Sequence, residues 1–252
     1  MTGRYVALGS SMASGPGIAP RADGAPWAAG RSARNYPHLV AAQLGLDLVD
    51  VTYQGATTAH VLREHRFGAP PQVEALDGSE TLVTVTIGGN DVGYVPFLTA
   101  ACLPGVAQWM PVVGTRIREL LDRRAREQAL DGVVGSLHEV GETIRRRSSR
   151  ARVLFVDYLT LLPPEGQKAP PLSKSDAELG RHIAATLERH TATAADATGC
   201  EHIAAGEASR EHHAWSADPW TTRFSLPRPG RPAPLHPNAS GMQAVANLVS
   251  AT

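Results

Sequence analysis

What most constrains this chain is a set of short apolar runs that do not alternate with polar residues. Segments 4–9 (RYVALG), 46–53, 81–87 (TLVTVTI) and 152–159 (RVLFVDYL) are rich in aliphatic and β-branched residues, and 201–205 is a shorter run of the same kind. A strand that is apolar on both faces needs cover on both faces, which implies a parallel sheet between two layers of helices. Helical patterns lie between the runs. Segment 37–44 (PHLVAAQL) begins with proline and stops at Gly45, the asymmetry expected of helix ends. A short helix is expected at 57–65, and a long one at 112–147 interrupted at Gly114, Gly132, Gly135 and Gly141. Another is expected at 173–197 behind an N-cap at Ser173, and a last one at 238–249. Segment 12–32, rich in Gly, Pro and Ala, and segment 209–234, with its five prolines, read as loops. No repeat and no linker divides the chain, so residues 1–252 are expected to form one α/β domain.

Charge and composition exclude several functions. Lys+Arg 24 balances Asp+Glu 24, which argues against a protein that works by neutralising phosphates, so no nucleic-acid partner is expected. The same balance argues against polybasic attachment to a membrane. No apolar run approaches the ~20 residues of a membrane span. Two cysteines, Cys102 and Cys200, are too few for a disulfide framework and read as free thiols in a reducing compartment, with a single Cys102–Cys200 pair as the alternative. The chain does not open on the ~7–15-residue apolar stretch of a secretory leader. A cytoplasmic protein is therefore expected, or else a chain that begins at a mature end.

In an open parallel sheet, ligands sit beyond the carboxyl ends of the strands. The residues there are Gly9-Ser10-Ser11 after the first strand, Gln54-Gly55-Ala56-Thr57-Thr58 after the second and Gly88-Gly89-Asn90-Asp91 after the third. Leu235-His236-Pro237-Asn238 precedes the last helix. A serine, a glycine, an asparagine and a histidine on one rim are the parts of an acyl-transfer site. A hydroxyl attacks only when a base takes its proton, and histidine suits that task near neutrality. The oxyanion that follows needs fixed donors, which a backbone N–H in a glycine turn and an asparagine amide supply.

Four blocks, YVALGSSMASG, QGATT, IGGND and LHPNASG, stand in this order from residue 5 to residue 241. Together they resemble the SGNH hydrolases, the GDSL esterase/lipase family, most closely its actinobacterial lipase/esterase branch. The resemblance implies a flavodoxin-like three-layer α/β/α sandwich with a five-stranded parallel sheet. It implies Ser11 as nucleophile, Gly55 and Asn90 as oxyanion donors and His236 as general base, acting on a small-molecule ester with no metal and no organic cofactor. The family spacing selects Ser11 over the competing hydroxyl of Ser10.

Two departures from the family pattern stand out. Ser10 replaces the aspartate before the nucleophile, which should alter how the turn is held and not the chemistry. Ala233 replaces the aspartate three residues before His236, and the carbonyl of Ala233 is expected to orient the imidazole in a Ser–His dyad. Asp218 is the alternative, as a relocated acid.

Other features read as structural. Glu211, His212 and His213 lack the spacing of a metal site and are expected in a solvated loop. Asp91 is expected to support its own loop. Two rival functions remain open: an acyltransferase or thioesterase acting on a specialised metabolite, with Trp27 walling an acyl pocket, and a binding module on a retired hydrolase scaffold.

Overall fold

The structure, a computed structural model, describes residues 2–228 and 230–252. Pro229, one of the five prolines in the loop expected at 209–234, lies outside them. The first half of the chain runs β1 (Arg4–Gly9), α1 (Ser11–Ser14), α2 (Tyr36–Leu44), β2 (Asp47–Asp50), α3 (Thr58–Leu62), β3 (Glu80–Thr86) and α4 (Tyr94–Cys102). The second half runs α5 (Val113–Leu121), α6 (Arg123–Arg147), β4 (Arg152–Val156), α7 (Lys174–Ala197), β5 (Glu201–Ile203), α8 (Ala205–Ala208) and α9 (Ala239–Ala251).

All five strands pair in parallel, in the order β2-β1-β3-β4-β5. Because successive side chains of a strand point to opposite faces, each strand feeds two cores. Val6, Leu8, Val83, Val85, Val153 and Phe155 face α4, α6 and α7, where they meet Phe97, Leu137 and Ile183. Tyr5, Ala7, Leu154 and Val156 face the other way, toward Tyr36 and Val40 of α2 and Met242 and Val245 of α9. The result is the expected α/β/α sandwich. A fully buried valine or leucine in these layers stabilises the fold by about 1.5–3 kcal/mol, so a one-residue slip of any central strand would exchange the two cores and lose many such terms at once.

Gly45 ends α2 and Ser173 caps α7 as expected, and α2 has a cap at Asn35 that was not foreseen. Asn35 accepts a hydrogen bond from the His38 amide at the start of α2, and Ser173 from the Asp176 amide at the start of α7. Several segments differ from the sequence reading: α1 takes the first residues of the loop expected at 12–32, β2 is shorter than the strand expected at 46–53, and the run at 201–205 ends as the start of α8. The long helical stretch breaks at Asp122, whose carboxylate caps α6 through the Arg124 amide, and α6 then passes unbroken through Gly132, Gly135 and Gly141. Gly141 is small because Thr198 packs on it. Helix α4 was not expected, since YVPFLTAAC is β-branched, aromatic and contains proline. Pro96 is tolerated because it lies in the first turn, where its missing N–H has no helical partner to lose.

Candidate active site

In the order β2-β1-β3, the chain leaves β1 for one side of the sheet and later returns to the other side. That reversal opens a crevice at the carboxyl ends of β1 and β3. Ser11 stands at the first turn of α1 directly after β1, and Gly88-Gly89-Asn90 follows β3. Both border a cleft of ≈ 770 Å³ that Ser11, Gly55, Asn90, Ala233 and His236 help to line.

The Ser11 hydroxyl and His236 Nε2 are 2.8 Å apart, although the residues are 225 positions apart in sequence. On the far side of the ring, His236 Nδ1 lies 2.7 Å from the carbonyl oxygen of Pro234. A carbonyl can only accept, so Nδ1 carries the proton. In the neutral ring Nε2 is then the acceptor for the Ser11 O–H. Burial pushes the His236 pKa below its ordinary value, and the Pro234 carbonyl opposes that shift. Burial thus favours the neutral ring, and the Pro234 carbonyl fixes the tautomer that a base needs.

The carbonyl expected at Nδ1 was that of Ala233, and here the structure corrects the sequence reading. The Ala233 oxygen accepts from the Thr222 hydroxyl at 2.8 Å, while the Ala233 N–H donates to Pro16 O at 2.8 Å. Leu235 makes the difference. It adopts φ 59, in the left-handed region, and so turns the chain back until the Pro234 carbonyl faces the next residue's ring. That conformation costs a residue with a Cβ about 1–2 kcal/mol, and the fully buried Leu235 side chain offsets it. Asp218 is not the relocated acid: its carboxylate lies 3.3 Å from His212 Nδ1.

The second and third sequence blocks interlock. Asn90 Nδ2 donates to the Ala56 carbonyl at 2.8 Å, which pins the amide and leaves its second N–H for another acceptor. Asp91 accepts from the backbone and the hydroxyl of Thr58 at 3.1 and 2.6 Å, so it supports the start of α3. Burial raises the Asp91 pKa, with the Thr58 hydrogen bonds opposing. Gly55 has φ 71 and lies against the Arg66 guanidinium, so a Cβ there would sit 2.2 Å from Nη2. Its own N–H meets no protein acceptor among the described residues.

Ser10 is fully buried and bonds at 2.9 Å to the Tyr158 hydroxyl, which also accepts from the Gly89 N–H at 3.0 Å. Tyr158 presses on Gly89 so closely that only glycine fits there. Burial lifts the phenol's pKa to about 12, so it stays protonated and can serve as donor and acceptor together. The first and third blocks are therefore tied through a tyrosine that bonds to Ser10, the residue standing in place of the family aspartate.

The sequence reading did not find Tyr158, Thr222 or Pro234. Tyr158 looked like the end of a strand, and the other two lie in an irregular stretch with no periodicity to read. His212 stacks on Trp220 at 3.9 Å, and His213 accepts from the Trp215 amide and is buried, so the solvated loop expected at Glu211 to His213 is corrected at His213, which packing and a backbone hydrogen bond draw inward. Among the described residues no group of three or more His, Cys, Asp or Glu side chains is placed to hold a metal ion.

A base-paired serine at the switch point of a doubly wound sheet, with amide donors beside it, defines a serine hydrolase of the SGNH type. The chain belongs to the GDSL-like lipase/acylhydrolase family, whose model matches residues 7–244, and with it to the carboxylic ester hydrolases. It is 32% identical over 256 residues to lipase 2 of Streptomyces coelicolor, covering 96% of this chain and 83% of that one. In fold it is similar to phospholipase A1 from Streptomyces albidoflavus NA297, with TM-score 0.83 and 24% identity over 100% of this chain and 99% of that one. It is likewise similar to the extracellular lipase of Streptomyces rimosus, with TM-score 0.81 and 24% identity over 99% of each chain.

Proposed function

We propose that the protein hydrolyses small-molecule carboxylic esters through an acyl-enzyme on Ser11, with a Ser–His dyad and no side-chain acid. The observation that carries this reading is the 2.8 Å contact between Ser11 Oγ and His236 Nε2, with Nδ1 held by a neutral carbonyl. Ser11 Oγ attacks the acyl carbon while His236 Nε2 takes its proton. The tetrahedral oxyanion is received by the free N–H of Asn90 Nδ2 and by the Gly55 amide. The ester C–O bond then breaks, and His236 returns its proton to the departing alkoxide. A water molecule repeats the sequence and frees the acid. The Pro234 carbonyl keeps the imidazole in one tautomer throughout, and it accepts from the Nδ1 proton of the imidazolium without supplying a full negative charge.

Labelling with a fluorophosphonate probe tests the reading. The label should appear on the peptide containing Ser11 and vanish in Ser11→Ala. A wild-type protein that does not label would mean a retired scaffold. Hydrolysis and transfer share the acyl-enzyme and part at the second acceptor. Product analysis with an added alcohol therefore separates an esterase from an acyltransferase. The two free thiols, Cys102 and Cys200, suit a reducing compartment, and a cytoplasmic location is part of this proposal. Cell fractionation tests it against the extracellular precedent of the Streptomyces rimosus neighbour.

A further inference from the structure

Residues 92–115 contain no charged side chain. The first part of this stretch is α4, whose Tyr94, Phe97 and Leu98 are buried. After Leu103 the chain turns outward. Val106, Trp109, Met110 and Val112 all face solvent, with Trp109 81% and Val112 96% exposed. Val112 holds φ 74, a rare conformation for a β-branched residue. This segment is continuous with the catalytic cleft, because Leu103 before it and Ile117 and Leu120 after it line the same cleft as Ser11 and His236. Trp27 and Phe67 also line that cleft and are 83% and 79% exposed. Each carries a guanidinium beside its ring, Arg21 at 5.6 Å from Trp27 and Arg66 at 5.1 Å from Phe67. After the uncharged stretch come Arg116, Arg118, Arg123 and Arg124, interleaved with Glu119 and Asp122, with Arg116 3.2 Å from Glu119.

A run of exposed apolar side chains is a surface that something covers. We propose that this rim docks on a phospholipid surface, with Val106, Trp109, Met110 and Val112 entering the acyl boundary and the flanking arginines at headgroup depth. The proposal rests on the ester-hydrolase reading, and position decides the occupant. A protein seated around the mouth of the cleft would close it, whereas a lipid surface brings ester-linked chains to it. Tryptophan beside arginine suits the boundary between acyl chains and headgroups, since each has an apolar body and a polar end. With a formal net charge of +0, the attraction must come from apolar insertion and not from a polybasic field. Binding should therefore survive high salt.

The test uses the full chain with phosphatidylcholine vesicles. Ser11→Ala protein, which binds without turning over, should co-sediment with them at low and at high salt. Adding Val106→Ser, Trp109→Ser and Val112→Ser together should lower the partition coefficient by about tenfold or more, as loss of buried apolar area at a bilayer does. With Ser11 intact, the triple variant should hydrolyse a water-soluble short-chain ester at the parental rate. It should lose about the same factor only on ester presented in vesicles. Equal vesicle binding by parent and triple variant overturns the proposal. So does binding that high salt abolishes, or a dimer that the triple variant loses while neither protein binds vesicles. Failure of the soluble-ester assay in the parent would overturn the hydrolase reading and leave the vesicle result standing.

Discussion

Two of the histidines that bond to an oxygen, His236 and His202, have opposite equipment. His236 has a hydroxyl at Nε2 and a neutral carbonyl at Nδ1. His202, in the middle of β5, has the buried carboxylate of Asp157 at 3.0 Å, whose other oxygen takes the Gly206 N–H at 2.7 Å. No serine or threonine hydroxyl bonds to the His202 ring among the described residues. The acid–histidine pair that a reader of triads would pick out is a strut between β4, β5 and α8. Burial raises the Asp157 pKa, while the His202 and Gly206 hydrogen bonds oppose that shift. The lesson is that a carboxylate beside a histidine does not mark a catalytic base. In the proposed dyad the mark of the base is a fixed tautomer with a hydroxyl on the open nitrogen, and a backbone carbonyl does the fixing.

The sharpest way to break this contrast is to remove the groups one at a time. Ser11→Ala and His236→Ala should each lower kcat on a soluble ester by about 10⁴-fold or more, as loss of a nucleophile or its base does. Ser10→Ala should leave most of the activity, because its hydroxyl serves Tyr158. Equal losses for the two serines would overturn the assignment. Asn90→Ala should follow at about 10²-fold in kcat, the usual cost of one oxyanion donor. A loss of tenfold or less would mean that the Gly55 amide carries the oxyanion almost alone.

A pH profile refines the electrostatic half of the comparison. Burial favours the neutral His236 ring, and in the proposed mechanism the neutral ring is the base. Protonation that stops the reaction therefore occurs only at lower pH. The acid limb of kcat/KM should turn over below ~6.5, the ordinary histidine value, with about tenfold loss per pH unit beneath it. An inflection above that value would reveal a negative charge near the ring and contradict the dyad. The smallest effect on rate should come from the other histidine. Asp157→Asn should keep kcat within about threefold of the parent yet cost about 1–3 kcal/mol of stability for a disturbed buried carboxylate. In a chain of this size that lowers Tm by about 2–4 °C per kcal/mol. If Asp157→Asn instead matched His236→Ala in kcat, the strut would be part of the active site.

Much of this protein was determined by sequence alone, for a local reason. Strands such as TLVTVTI are apolar on both faces, and that pattern demands helices above and below whatever the rest of the chain does. Ligands meet such a sheet at the carboxyl-end turns, so Ser11, Gly55, Asn90 and His236 could be singled out on one rim, while their roles came from the resemblance to the SGNH family. What tertiary structure decided lies where backbone geometry, not residue type, does the chemistry. Every residue has a carbonyl, so nothing in PAPLH marks the oxygen of Pro234 over that of Ala233. The choice depends on the positive φ of Leu235 and on Thr222 occupying the Ala233 oxygen from 11 positions away. Tyr158 holds Ser10 and Gly89 across 148 and 69 positions for the same kind of reason. A buried phenol finds its partners only after the sheet has set β1, β3 and β4 side by side, and no local pattern encodes that meeting.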